Sequence, residues 1–525
     1  MNGPATVVDA VARHAAERPS AIALSGAGRQ WTYGALHADA GRLAHGFSAA
    51  GAGRGRTVAI VCGNHPLGAV AWLAAMRAGA TPSMVNSLLR AQELAFILGH
   101  LAPVVVVADA AHLPVVREAL AAAGHAAAVV LLDGTADLPT LVEWLSGAGF
   151  EGPLPEAGDA SEIAYTSGTT SNPKGVVLTH AAVLHRAAQQ RAVLGLGSED
   201  TALAVTPLFH QSGIRDCVLL MWHCGGHAAI APRFSASSFW GQAIAAGATY
   251  TCMVETMILL LEQQAPSNSE RAHRIRVVMG GGAPDVRARA QARFGFQAVP
   301  GYGMTECGFP VAVPPDRSAD DLQPYLAAAN GASFAGWPVG DNQVRVIDAH
   351  GHDVPEGGQG EILVRSKTLL REYFRNPEAT AAALRDGWLH TGDLGMRGAN
   401  GSLYFVDRIK DVIRRGGENI ASKEIETVIQ AHPDVARAVA YPVPDPLFGQ
   451  EAKVIVIARP GAAPSAAAIW AWCDARLARY KVPRFVEFRD AIPTSGSGRA
   501  QKQALRAEPI EGLGRTYDRR AEGGS

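Results

Sequence analysis

Short β-branched runs alternate with alanine-rich stretches through the first quarter of the chain, and this alternation restricts the fold more than any other feature. The runs at 57–61, 104–107 and 129–132 read as strands, and the stretches at 69–78 and 113–123 read as helices. Strands alternating with helices of that length predict an α/β domain with largely parallel sheets. The pattern changes at 335–365. There a Gly-Trp-Pro-Val-Gly segment, a run at 343–347, a Pro-Glu-Gly-Gly turn at 355–358 and a run at 361–364 predict a small β-barrel or β-rich subdomain. After Asp407 the chain again mixes strands (438–441, 453–457) with helices (423–431, 467–478), which suits one small α+β domain. The expected fold class is therefore α/β: a large N-terminal domain with parallel sheets and a β-rich subdomain, followed by a small α+β domain. With 525 residues, at least two domains are required.

Composition enters where it excludes classes. Hydrophobic residues make up 48% and charged residues 18%, the balance of a globular enzyme. A formal net charge of −1 provides no general attraction for nucleic acid or an anionic membrane, and neither is expected as a partner. Asp9, Arg13, Glu17 and Arg18 interrupt the first twenty residues, so no signal peptide is expected there. No window approaches a transmembrane span. Cys62, Cys217, Cys224, Cys252, Cys307 and Cys473 are scattered without a Cys-x-x-Cys pair, which predicts reduced core thiols and a cytoplasmic location.

The chemistry is concentrated in separated segments. Tyr-Thr-Ser-Gly-Thr-Thr-Ser-Asn-Pro-Lys-Gly at 165–175 combines hydroxyl donors, accessible backbone N–H groups and one mobile cation. Those are the groups that a triphosphate's oxygens need. Gly-Tyr-Gly-Met-Thr-Glu follows at 301–306 and Gly-Trp-Leu-His-Thr-Gly-Asp at 387–393. Each alone is compatible with an ordinary turn. Together and in this order they resemble the adenylate-forming superfamily of acyl-CoA synthetases, peptide-synthetase adenylation domains and luciferases. The resemblance runs from about Val8 to about Arg506.

The resemblance implies ATP and Mg²⁺ as cofactors and assigns roles by position. Thr166, Ser167, Gly168, Thr169, Thr170 and Lys174 would grip the phosphates. Ser171 stands where most members have glycine. Gly281, Gly282, Ala283 and Pro284, in a strip that begins at Gly280, would sandwich the adenine with Tyr302, in a segment continuing through Gly303 and Met304. Thr305 would bond the α-phosphate and Glu306 would hold the magnesium ion. Asp393 would accept the ribose hydroxyls, with Arg408 as a second ribose contact. Lys410 occupies the position of the hinge about which the C-terminal domain swings between two half-reactions, which divides the chain into 1–409 and a mobile domain at 410–506; the segment 507–525, rich in Gly, Arg and Glu, is expected to be a poorly ordered tail. Gly417, in Arg414-Arg-Gly-Gly-Glu-Asn-Ile420, would leave room for a pantetheine arm, which favours CoA as acceptor.

Two departures stand out. Where members carry Gly-Lys near the C-terminus this chain has Gly498-Arg499, followed by Lys502. Three readings are open: Arg499 supplies the cation, Lys502 replaces it, or the activated substrate is not a conventional carboxylate. Glu255 stands in an apolar run where many relatives have proline, so it either faces an amino-bearing substrate or finds a partner in an arginine or solvent. His210 and Gln211, in Pro207-Leu-Phe-His-Gln-Ser-Gly213, match the segment that closes over the acyl group. Segments such as Phe239-Trp-Gly-Gln242 and Tyr404-Phe-Val-Asp-Arg408 resemble the branch of crotonobetaine/carnitine and medium-chain or aromatic acid CoA ligases. The expected reaction joins a small aliphatic or aromatic carboxylic acid to CoA through an acyl-AMP. The alternatives are nitrite-dependent diazotisation of an aromatic amine, adenylation for a carrier protein, and a silent nucleotide-binding protein.

Overall fold

A computed structural model describes residues 3–134, 138–166, 173–317, 319–329, 332–415, 418–494, 500–512 and 514–522. Two sheets dominated by parallel strands build the first part of the chain. One has the order Thr81–Met84, Thr57–Val61, Val105–Ala108, Ala128–Leu131, all parallel. The other runs Gln297–Val299, Val277–Gly280, Tyr250–Met253, Thr201–Ala204, His227–Ile230, Ile22–Gly26, Arg29–Thr32, and only its last pair is antiparallel. The helix Pro66–Arg77 shows why the alanine-rich stretches matter. Its residues from Pro66 through Met76 are buried, which a helix tolerates only when it is apolar all round. His65 caps its start and Pro66 supplies the preset φ of a first helical residue. Its Trp72 meets Trp222, both fully buried, at 6.4 Å between rings.

The β-rich part is larger than the 335–365 segment suggested. Its antiparallel sheet recruits Gly301–Met304 and Gly308–Ala312 at one end, then Ser333–Pro338, Leu403–Arg408, Trp388–Arg397, Gln359–Arg365 and Gln343–Ile347. Because Gln297–Val299 ends the second parallel sheet and Gly301–Met304 begins this one, the chain crosses between sheets at Pro300. That crossing places 301–306 at a junction. The six cysteines are all free and buried, as expected.

The C-terminal α+β unit has a mixed sheet ordered Glu418–Ile420, Ile413–Arg415, Gly449–Ala458, Phe485–Phe488, Arg515–Asp518, with Val435–Asp445 also on Gly449–Ala458. The last strand corrects an expectation. Residues 507–525 were to be a poorly ordered tail, yet Arg515–Asp518 pairs antiparallel with Phe485–Phe488. The charged composition that suggested disorder is consumed in pairs: Arg484 with Asp518 at 2.7 Å and Arg519 with Asp474 at 2.8 Å. Lys453 and Glu487, both wholly buried, meet at 2.7 Å beneath the tail, and Lys453 also donates to the Ile510 carbonyl at 2.7 Å.

Burial alone would raise the Glu487 pKa, but hydrogen bonds from Arg489 and Lys453 outweigh it and lower the value to about 2 from an ordinary 4.5. A carboxylate depressed on folding stabilises the native state above its unfolded pKa, and that contribution is lost as pH falls through the folded value. The C-terminal unit should therefore lose stability between about pH 4.5 and 2. Thermal unfolding followed by tryptophan fluorescence checks this, and a midpoint that stays flat across that range would refute it.

Candidate active site

The glycine strip leaves the carboxyl end of Val277–Gly280, the edge of a parallel sheet where ligands bind. Gly280, Gly281 and Gly282 have φ of 101°, 100° and 78°, a run that residues with a Cβ rarely adopt. A side chain on Gly280 would strike the Met253 carbonyl, and one on Gly282 would strike Glu255. Ala283 then caps the helix Pro284–Phe294, with proline at its first position. Glu255 begins the helix Glu255–Glu262, and its Oε2 accepts the Ala283 N–H at 2.8 Å. The Arg287 guanidinium donates to the Gly282 carbonyl. Glu255 is half-buried and lies within the field of the Arg287 guanidinium, in line with the arginine-or-solvent reading, and it has a further partner in the strip's own backbone. Glu255→Ala should loosen the strip and weaken ATP binding by about tenfold, the loss of one hydrogen bond to a charged group. Titration calorimetry with ATP tests this, and unchanged affinity would dismiss it.

Tyr302 is buried, and its hydroxyl donates to Asp393 Oδ2 at 2.7 Å. The Arg408 Nε approaches Asp393 Oδ1 at 2.8 Å. Asp393 and Arg408 are direct cross-strand partners, which is what brings them together. Burial, then the Asp393 charge, hold the Tyr302 phenol well above its ordinary pKa, so it remains a donor. Its ring stacks on Phe405 at 5.9 Å. Gly303 and Met304 continue the strand toward Gly308–Ala312, and Thr305 lies half-buried in the turn between them.

Glu306 is buried, and Tyr373 donates to its Oε1 at 2.9 Å. On the face of the same Tyr373 ring, Lys174 Nζ lies 4.8 Å from the centroid. One phenol therefore joins the lysine of the 165–175 loop to the carboxylate of 301–306. Tyr373 was missed by the sequence reading. Its strand Glu372–Tyr373 pairs with Gly175–Thr179, a register that no spacing announces. Burial raises the Glu306 pKa, opposed by its own backbone N–H, the Tyr373 hydroxyl and the Arg408 charge. Thr166 donates its N–H to the Lys174 carbonyl at 2.9 Å, closing the base of the loop. Ser167, Gly168, Thr169, Thr170 and Ser171 lie outside the described residues, as do Gly417, Gly498 and Arg499.

Among the described residues no group of three or more His, Cys, Asp or Glu is arranged to hold a metal. Glu306 nonetheless suits magnesium: a buried hard carboxylate fits an ion that keeps several waters and is carried by one or two carboxylates plus substrate phosphates.

The loop 205–213 lies at the carboxyl end of Thr201–Ala204. His210 packs on Phe209 at 4.6 Å, its N–H donates to Pro207, and its carbonyl accepts from Gly213 and Ile214. Gln211 Oε1 accepts Arg186 Nη1 at 3.2 Å. Behind it lies a layer of buried charge. Arg186 pairs with Asp216, Gln190 donates to Asp216 at 2.9 Å, and Arg215 meets Glu162 at 3.3 Å. A π-helical turn, Ile214–Leu219, carries Arg215 and Asp216 inward in succession. The sequence reading missed this layer too; charged residues inside apolar runs were the signal.

Two family models match the chain: AMP-binding enzyme over residues 11–374 and AMP-binding enzyme C-terminal domain over 424–499. The chain belongs to the AMP-binding enzyme family. This AMP-binding enzyme is 33% identical over 480 residues to the sulfoacetate–CoA ligase of Cupriavidus necator, covering 91% of this chain and 92% of that one. It is 32% identical over 493 residues to the crotonobetaine/carnitine–CoA ligase of Citrobacter koseri, covering 91% and 93%. The crystal structure of ATP-bound MatB from Rhodopseudomonas palustris superposes with a TM-score of 0.84 at 28% identity, covering 95% of this chain and 98% of MatB.

In this AMP-binding enzyme Lys410 is half-buried in the turn after Leu403–Arg408, and burial lowers its pKa. Its neighbour Asp411 pairs with Arg506 at 2.7 Å. Lys502 pairs with Glu426 at 2.8 Å and donates to Ser422, whose hydroxyl donates to Asp407 at 2.6 Å. Lys502 therefore already has its partners within the C-terminal unit. No described helix is long and apolar enough to cross a membrane.

Proposed function

We propose that this enzyme activates a small organic carboxylic acid with ATP as an acyl-adenylate and transfers the acyl group to CoA. The observation that carries this is the junction at Tyr373, which brings Lys174 and Glu306 together from distant segments, as a phosphate-gripping site requires. The sulfoacetate and crotonobetaine/carnitine ligases among its relatives support the thiol acceptor.

Thr166 and Lys174, with Ser167, Gly168, Thr169 and Thr170, hold the phosphates. The strip Gly281–Pro284 and Tyr302 flank the adenine. Asp393 and Arg408 take the ribose, and Thr305 the α-phosphate. Glu306 would hold Mg²⁺, which when bound would neutralise phosphate charge. His210 and Gln211 orient the acid so that its carboxylate oxygen attacks the α-phosphorus and pyrophosphate leaves. The engagement of Lys502 by Glu426 and Ser422 supports Arg499 as the cation of the first step. Residues 1–409 and 410–506 then change orientation about Lys410, the CoA sulfur attacks the acyl carbon past Gly417, and AMP leaves.

Pyrophosphate release is measured with ATP and Mg²⁺ on sulfoacetate, crotonobetaine, ferulate and 4-aminobenzoate, each with CoA alone or nitrite alone. CoA-dependent release with a new thioester supports the ligase. Release that needs nitrite and consumes the aromatic amine transfers the function to diazotisation.

A further inference from the structure

The strand Ile413–Arg415 and its partner Glu418–Ile420 form a hairpin on the edge of the C-terminal sheet. The far end of the chain holds it. Glu451 is 1% exposed, and each of its oxygens is taken by a different arginine: Oε2 by Arg415 Nε at 2.7 Å and Oε1 by Arg520 Nη2 at 2.6 Å. The same two guanidinium groups lie over the Phe448 ring, at 4.2 Å for Arg415 and 5.3 Å for Arg520. Arg520 also reaches Asp445, 1% exposed, at 3.3 Å, and Asp445 is held by Arg484, which binds Asp518. The chain of contacts is continuous from the tail to the hairpin. Its tail members, Asp518 and Arg520, lie beyond the C-terminal family match, which ends at 499.

A carboxylate this buried needs both oxygens satisfied, and a planar fork does so at a defined angle where a lysine cannot. Without Arg520, Glu451 keeps one partner, Phe448 loses one of its two cations, and Arg415 is free to follow a Glu451 that is no longer held.

We propose that Arg520 is a positioning residue for thioester formation, acting through Glu451 and Phe448 on the Arg415 hairpin. The proposal rests on the ligase reading, in which this hairpin serves the second half-reaction.

The experiment compares Arg520→Ala, Arg520→Lys and Arg519→Ala in the full chain. Arg519 lies one residue away and pairs with Asp474 instead, so it controls for tail charge. ATP–pyrophosphate exchange reads the first half-reaction, and single-turnover thioester formation on the acid best used by the wild type reads the second. Hydrogen exchange of the Ile413–Arg415 and Glu418–Ile420 amides reads the hairpin without any substrate. Arg520→Ala should leave exchange within twofold, slow thioester formation about tenfold and speed amide exchange in the hairpin. Arg520→Lys should recover part of both effects, and Arg519→Ala should change neither. Unchanged amide exchange in Arg520→Ala would overturn the clamp. Equal losses in both half-reactions, or in neither, would overturn the positioning role. A wild type that forms no thioester with any acid would instead refute the ligase reading, leaving amide exchange to judge the clamp.

Discussion

Glu306→Gln is expected to lower acid-dependent pyrophosphate release by about 10²–10³-fold, the usual cost of removing one preorganised charge from a reacting phosphate site. The substitution keeps shape and an acceptor for the Tyr373 hydroxyl, so it removes charge and little else. Burial already disfavours ionisation of Glu306, which is why its pKa is raised. A neutral amide should therefore leave the thermal midpoint unchanged or slightly higher. Activity and stability are thus predicted to move apart. Tyr373→Phe should show a smaller loss of about tenfold, because it removes one hydrogen bond to a charged group. Steady-state pyrophosphate release and differential scanning calorimetry on both variants decide the matter. A Glu306→Gln enzyme within threefold of wild type would remove Glu306 from the mechanism.

Asp393→Ala is expected to damage both nucleotide binding and the fold. Asp393 is 1% exposed and stands between the Tyr302 hydroxyl and Arg408. Truncation leaves a buried phenol without its acceptor, a desolvation cost of about 1–3 kcal/mol. Arg408 adds less, since its side chain is 35% exposed and solvent screens its attraction. A fall of several degrees in the melting temperature should follow, roughly 2–4 °C per kcal/mol for large domains. The ribose would lose its acceptor-only carboxylate, and ATP affinity should fall by more than tenfold. Asp393→Asn keeps an acceptor for Tyr302 and should restore most of the stability but not the affinity. Melting curves with and without ATP separate the two effects. Wild-type ATP affinity in a folded Asp393→Ala protein would exclude Asp393 from the nucleotide site.

Much of the architecture was legible because its signals are local. The strand Thr57–Val61 and the helix Leu113–Ala123 lie where short β-branched runs and alanine-rich stretches indicated. The glycine strip was assigned by position within a motif, and three successive glycines with positive φ supply its physical cause. The Asp393–Arg408 pair was assigned by position within motifs, and the cross-strand register supplies its physical cause.

What failed depended on partners far away in the chain. The Ala283 N–H that Glu255 accepts was not foreseen, because backbone donors are invisible to a reading of side chains. The tail at 507–525 looked disordered from its Gly-, Arg- and Glu-rich composition, whereas Asp445, Glu451, Asp474 and Arg484 pair with its charges. Tyr373 carried no local signal, since its importance comes from touching Glu306 and Lys174 at once.

The alternation that builds the parallel sheets, the backbone freedom of the strip and the chemical kind of group at each motif are local properties of the chain. Those properties belong to residues and their near neighbours, where sterics and donor inventories act without tertiary contacts. Which charges are paired, which hydroxyl links two motifs, and how the last strand completes the C-terminal sheet emerge from the three-dimensional fold. Such choices are made through space, where burial makes an unpaired polar group costly and the fold alone sets which partner is within reach.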